Sequence, residues 1–456
     1  MKADSSARFT QGPIGITMLK SACAMLAGTL AISGYNIVDT YFVGQLGKIP
    51  LAAMGYTFPV IMIVGCIFFG VAAGIMTTTA QALGSDQKQR AARIVTSGLQ
   101  MLVMVSICAG AFGILVSPWI FRLMGTSAEA YPLTMEYMTI WYLGCVTGSL
   151  SMAGNKLLIG AGDSNMAAAM MVVGLVINAV LDPIFIFGWC GAPAMGIAGA
   201  ALATVISQLI STILLLTLLR KKYHLVEFCF YRMREFVPLC RLIFRYAVPA
   251  SIGMLMMPLS AFVVTWITAR FGDAAVAAVA AASRLEGIAF IFPMALGIPM
   301  LSMVGQNYGA KLYTRIRQCF RFSMNFAFFF LLGMAVLYFL FARYLVAFFS
   351  PDPDVQEIMK ICLLIIPWGF GFVEIHRYSG FFYTGCDRPS ISAWLSALRV
   401  VGLLLPLSFL SLYFRKVEYL FFARLIADII SGSVAWYLAR RMVKRLPEMD
   451  GEDDPK

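Results

Sequence analysis

LAAMGYTFPVIMIVGCIFFGVAAGIMT, residues 51–77, runs for 27 residues without one charged side chain. A helix rises about 1.5 Å per residue, so roughly 20 apolar residues cross the hydrocarbon core of a bilayer. This stretch is long enough to do so. Similar runs occupy 14–43, 91–116, 131–158, 164–188, 196–219, 246–269, 275–304, 318–342, 355–383, 389–413 and 417–439. A transmembrane β-barrel would show short alternating segments instead. The expectation is an all-α polytopic membrane protein with twelve transmembrane helices.

Composition agrees. The 456 residues are 60% hydrophobic and 13% charged, whereas a soluble domain carries about a quarter charged residues. Folded surfaces in water need polar cover, so the apolar excess must face lipid. The run from Ile14 is too long for the core of a cleavable signal. Lys20-Ser21-Ala22-Cys23 is similar to a lipoprotein cleavage box, but Lys20 spoils it, and the segment reads as a retained first span. Ten cysteines are scattered without a CxxC, and there are two histidines. That argues for buried reduced thiols and against a zinc or haem site.

The net charge of +12 reads as the positive-inside rule rather than as nucleic-acid binding. With the amino terminus inside, the inner connections collect most of the Lys and Arg, among them Lys88, Arg90, Arg93, Arg220, Lys221, Lys222, Arg315, Arg317, Arg440 and Arg441. The outer side collects only Lys48, Arg122, Arg270, Arg343, Lys360, Arg415 and Lys416. Both termini are therefore expected in the cytoplasm, in a plasma (inner) membrane, with an even number of spans.

The chain also repeats itself. A shift of 225 puts Gly47 on Gly272, Ala52-Ala53 on Ala277-Ala278, Gln81 on Gln306, Gly84 on Gly309 and Arg90 on Arg315. A shift of 224 puts Asp163 on Asp387 and Ser207 on Ser431. The expected organisation is two pseudo-symmetric six-helix lobes, 1–219 and 246–440, a basic cytoplasmic linker at 220–245 and a polar tail at 441–456. Six is even, so the repeats are parallel about the membrane normal, an arrangement that suits alternating access to a cavity between bundles.

Several motifs carry a specific likeness. Tyr35-Asn36-Ile37-Val38-Asp39-Thr40-Tyr41-Phe42-Val43-Gly44-Gln45-Leu46-Gly47 resembles the first-helix signature of the multidrug and toxic compound extrusion (MATE) family. Gly160-Ala161-Gly162-Asp163, Asn178-Ala179-Val180-Leu181-Asp182-Pro183, Gly196 to Thr204, and Val304 to Ala310 follow in the family's order. The resemblance covers about 10–440. It implies efflux of organic cations or other amphipathic compounds in exchange for H⁺ or Na⁺, with no other cofactor. It also implies that Asp39, Asn178 and Asp182, with Thr204 beside them, form the coupling site. A carboxylate that some bacterial relatives carry in the seventh span is missing between Ala247 and Ala269.

Helix arithmetic reaches the same residues independently. Asp39 and Asp182 each lie nineteen residues after the inner ends of their spans, roughly 28 Å along a helix. Asn178 is one turn from Asp182 on the same face, and Thr204 descends to a similar depth from outside. Oxygen ligands suit a hard cation. Two nearby carboxylates in a low dielectric cannot both ionise easily, so such a pair also suits a proton. The bland alternative for Asp182 is a hydrogen bond at the Pro183 kink.

The carboxyl-terminal half carries charges at membrane depth: Arg284, Glu286, Arg399, Arg424 and Asp428. They read as a polar network, structural or substrate-binding, and an Arg facing a cavity would favour anionic or zwitterionic substrates. Glu374, His376 and Arg377 lie together in the tenth span. Met256 and Met257, before Pro258, are candidates for a substrate cavity. Pro183, Pro258, Pro293, Pro299, Pro367 and Pro406 interrupt spans and free backbone carbonyls. A lipid or lipid-linked saccharide flippase shares the expected architecture and is the nearest alternative. An intramembrane enzyme would need a constellation such as HExxH, which is absent. The expected partners are small-molecule substrates and the bilayer, without nucleic acid, and the expected working form is a monomer.

Overall fold

The computed structural model describes residues 9–227 and 231–447. Among them there is no β-strand. The first half holds α1 (Ile14–Gln45), α2 (Lys48–Gly84), α3 (Lys88–Leu123), α4 (Ala130–Leu143), α5 (Cys145–Gly160), α6 (Ser164–Phe187) and α7 (Gly196–Lys221). The second holds α8 (Met233–Thr268), α9 (Asp273–Gly309), α10 (Tyr313–Phe349), α11 (Pro353–Ile365), α12 (Phe370–Gly385), α13 (Pro389–Ala397), α14 (Leu405–Phe414) and α15 (Glu418–Arg445).

Among the described residues, 11 helices are long and apolar enough to cross a membrane. The span expected at 131–158 is missing from that number because it is broken into α4 and α5 at Gly144. A Cβ at Gly144 would stand 2.2 Å from the Val205 Cγ2, so only glycine lets α7 approach here. The break repeats: 225 residues later, Gly369 ends a 3₁₀ turn between α11 and α12. The two glycines share a backbone conformation, φ −82° and ψ −2° at Gly144 against φ −83° and ψ −15° at Gly369. In the second copy Pro367 contributes, since its ring nitrogen donates no helical hydrogen bond. The span at 389–413 is likewise irregular, with a π-helical turn, Leu398–Leu404, between α13 and α14. Pro406 follows that turn and cannot donate to the Gly402 carbonyl one turn back.

Two boundaries differ from expectation. Helix α8 begins at Met233, inside the stretch expected to be linker, and α15 continues through Arg441 to Arg445, inside the expected tail. Polar residues extend these helices beyond the apolar run, because intrahelical hydrogen bonds do not stop at the membrane surface. Of the expected polar tail, residues 448–456 lie outside the described residues.

The chain forms two compact units. One gathers Cys23–Ser251; the other gathers Gly12–Ala22 and the chain from Ile252 onward. In the first, small residues bring helices into near contact. A Cβ at Gly199 would lie 2.3 Å from the Phe185 carbonyl oxygen, and one at Gly74 would lie 2.9 Å from that of Ile243. In the second, aromatic packing dominates: the Phe290 and Phe370 rings meet at 5.1 Å, and Tyr338 meets Phe370 edge-on at 6.4 Å. Leu115, Trp119 and Phe348 are 79%, 81% and 84% exposed, a costly arrangement in water and a neutral one against lipid tails. The cysteines correct one expectation. Cys66, Cys145, Cys319, Cys362 and Cys386 are buried, but Cys23, Cys108 and Cys190 are exposed. A thiol is apolar enough to face lipid.

Candidate functional site

Four elements of the first unit assemble a buried polar layer. Helix α1 supplies Asp39, which is buried, and Tyr35 one turn earlier. Helix α6 supplies Asn178 and Asp182, both fully buried. Asp182 directly precedes Pro183, whose missing N–H leaves the Ala179 carbonyl without its usual helical donor. Helix α7 supplies Thr204 and Ser207, and α4 supplies Tyr137.

The contacts knit these residues together. The Thr204 hydroxyl donates to Asp39 Oδ2 over 3.4 Å, a long bond. Asn178 Nδ2 donates to Asp182 Oδ1 at 3.1 Å. The Asp39 carboxyl also interacts with both Asp182 and Asn178, so the two acids share one pocket. Tyr35 and Ser207 hydroxyls bond at 2.9 Å, and Ser207 donates to the Thr204 carbonyl at 2.9 Å. Tyr137 is buried within electrostatic reach of Asp39, Tyr35 and Asp182.

The chemistry is defined by what these oxygens lack. No Lys or Arg among the described residues forms an ion pair with Asp39 or Asp182. Asp39 Oδ1, Asp182 Oδ2 and Asn178 Oδ1 are buried without a hydrogen-bond partner. Leaving such atoms bare in a low dielectric is unfavourable. The donor set is all oxygen and carries two acids, so it fits a proton shared between carboxylates or a hard monovalent cation.

The second unit gathers most, but not all, of the expected charges. Arg399, on the π-helical turn, donates from Nε to Asp428 Oδ1 at 2.9 Å, and its Nη2 lies 2.8 Å from the same oxygen. Arg424 pairs with Glu286 and stands 3.9 Å from Asp428 Oδ2. Arg284 stays outside: it is exposed and makes no ion pair among the described residues. Residues 284 and 286 differ by about 200° around a helix, so they face opposite ways. Glu374 is fully buried with Arg377 Nη1 at 2.9 Å, and His376 is buried beside them. Met256 is half-buried and Met257 is 53% exposed; neither lines the cleft at Glu286 and Arg424.

Sequence reasoning missed Tyr35, Tyr137, Ser207 and Lys156. Tyr35 and Ser207 were within reach, one turn from Asp39 and from Thr204 on the same faces. Tyr137 carries no such signal, because it arrives from a helix remote in sequence. Lys156 is buried with its Nζ 3.5 Å from the Phe69 ring centroid.

The sequence matches the MatE family profile over residues 24–184 and 249–410. The chain belongs to the MatE family. Two relatives align along most of its length. The FAD transporter of Shewanella oneidensis is 32% identical over 94% of this chain and 95% of its own. The probable multidrug resistance protein YoeA of Bacillus subtilis is 25% identical over 90% and 87%. The crystal structure of the Vibrio cholerae MATE transporter VcmN in the bent form superposes with a TM-score of 0.88 at 26% identity, covering 96% and 98% of the two chains. This MatE protein is thus a multi-pass membrane efflux transporter and not an enzyme.

Proposed function

We propose that this MatE protein is an antiporter that exports amphipathic small molecules in exchange for H⁺ or Na⁺ bound in the layer of Asp39, Asn178, Asp182 and Thr204. One observation carries the reading: two buried carboxylates share a pocket that holds no basic side chain, with three buried oxygens left without partners. A group that loads a cation must be stable with it and uncomfortable without it. The surplus of Lys and Arg in alternate connections supports an inner-membrane location with both termini in the cytoplasm. The protein works as a monomer by alternating access.

For the substrate, a flavin dinucleotide comes first. The Shewanella relative is matched over nearly its whole length, and the second unit holds arginines at membrane depth. Organic cations come second, favoured by the multidrug name of the Bacillus relative and by the acidic layer itself. The test uses purified protein in liposomes of determined orientation. FAD and a fluorescent organic cation are followed separately under an inward H⁺ or an inward Na⁺ gradient. Gradient-driven export that is lost in Asp39→Asn supports the antiporter, and the effective gradient names the ion. Export of both compounds that is indifferent to either gradient and to Asp39→Asn overturns it.

A further inference from the structure

The charged chain of the second unit has a pattern of pairing that no coupling role explains. It runs Glu286, Arg424, Asp428, Arg399 across α9, α15 and the π-helical turn. Asp428 is buried, and both nearest nitrogens of Arg399 converge on its Oδ1. The other carboxylate oxygen is 3.9 Å from Arg424, beyond hydrogen-bond range, and has no hydrogen-bond partner. Arg399 has therefore claimed Asp428, and Arg424 depends on Glu286 for its counter-charge.

The side chains of Arg399, Arg424 and Glu286 are 20%, 17% and 23% exposed against 1% for Asp428, but only Arg424 and Glu286 of the four reach the adjoining cleft. Its remaining wall is mostly apolar, with Phe370 and Phe421 among its residues. The cleft lies wholly within the second unit. Take Glu286 away and two guanidinium groups face one carboxylate: the site becomes an anion receptor.

We propose that Arg424 is the recognition site for a phosphate-type anionic group of the exported substrate, and that Glu286 is the internal anion which that group displaces. A bare guanidinium in the membrane is unstable, and a carboxylate on a neighbouring helix stabilises it until substrate arrives. A pyrophosphate offers the same bidentate acceptor geometry with more charge, so the exchange keeps Arg424 paired throughout. The side chain of Glu286 is 23% exposed, so its carboxylate has room to swing off Arg424. Asp428 is held by Arg399 and does not line the cleft, so it keeps its own partner through the exchange. The inference rests on the flavin-dinucleotide reading above and adds the residues that read the phosphates.

Binding to the purified transporter is measured by flavin fluorescence, with FAD compared with riboflavin, which has the ring and no phosphate. Arg424→Gln is expected to weaken FAD at least tenfold and leave riboflavin unchanged, with Arg424→Lys intermediate. Glu286→Gln removes the competitor and is expected to tighten FAD several-fold. That sign separates the proposal from a structural ion pair, whose loss would loosen both ligands and lower the melting temperature. The double variant Arg424→Gln with Glu286→Gln leaves a neutral pair that spares folding, and it too should lose FAD. FAD binding that is unaltered in Arg424→Gln, or weakened in Glu286→Gln, overturns the inference and leaves the substrate reading standing. Wild-type protein that binds neither FAD nor inorganic pyrophosphate overturns both.

Discussion

Thr204 and Asp428 stand at matching positions of the two repeats, 224 residues apart, on α7 and α15. Thr204 donates a hydrogen bond to Asp39, whereas Asp428 accepts one from Arg399. One position of the ancestral unit has thus acquired opposite polarity in its two copies. The first unit offers uncompensated acid, and the second offers basic groups balanced by acid.

The acidic layer predicts a stability–function trade. Asp182→Asn keeps the shape and the Asn178 contact while removing a buried carboxyl that lacks a basic partner. The apparent melting temperature in detergent should stay the same or rise, because an amide costs less to bury than a charge. Gradient-driven export should fall at least tenfold. A large drop in melting temperature with transport intact would make Asp182 a structural residue.

The second unit predicts the reverse. Asp428→Asn strands Arg399, whose ion-pair partner it is, in a largely buried setting. Breaking one side of such a pair costs about 3 kcal/mol, the lower end of the range because Arg399 keeps some solvent contact. Replacing both residues together, Arg399→Leu with Asp428→Leu, should cost much less than the single change. Thermal unfolding of the four members of that cycle checks the sign.

At the helix break, Gly144→Ala forces a methyl group toward the Val205 Cγ2, 2.2 Å away in the present packing. Overpacking of this kind costs about 1–3 kcal/mol. Val205→Ala in the same chain should recover most of it. Gly199→Ala meets the Phe185 backbone carbonyl instead, at 2.3 Å, and no side-chain truncation should rescue it. Thermal unfolding of the three variants and the double variant distinguishes the two kinds of clash.

The start of the connection after α7 is tethered rather than free. Asp163 caps α6 by accepting from the Met166 N–H at 3.1 Å, and its other oxygen accepts from the Tyr223 hydroxyl at 2.6 Å. Asp163→Ala loses both, about 1–2 kcal/mol for the cap alone. Trypsin should then cleave after Arg220, Lys221 or Lys222 several-fold faster than in the wild type. Tyr223→Phe keeps the cap and should reproduce the faster cleavage with little change in melting temperature.

Much of this was legible in the residues. Uncharged runs such as 51–77 determine helices in a membrane, because a bilayer leaves the backbone no other partner than itself. The repeat from Gly47/Gly272 to Ser207/Ser431 determines two copies of one unit, and the MATE-like motifs determine the family. Depth along a helix is simple arithmetic, so the chain positions of Asp39 and Asp182 alone set them in one layer. What a helix presents to its neighbours is not arithmetic. Only tertiary packing decided that Tyr137 joins that layer, that Arg284 leaves the network while Glu286 stays, and that Asp428 belongs to Arg399 rather than to Arg424 four residues before it. It also decided that the fourth passage breaks at Gly144, where Val205 of another helix comes close enough to exclude a Cβ. Those outcomes depend on which faces meet, and the facing of one helix toward another is a property of the pair that neither sequence segment carries alone.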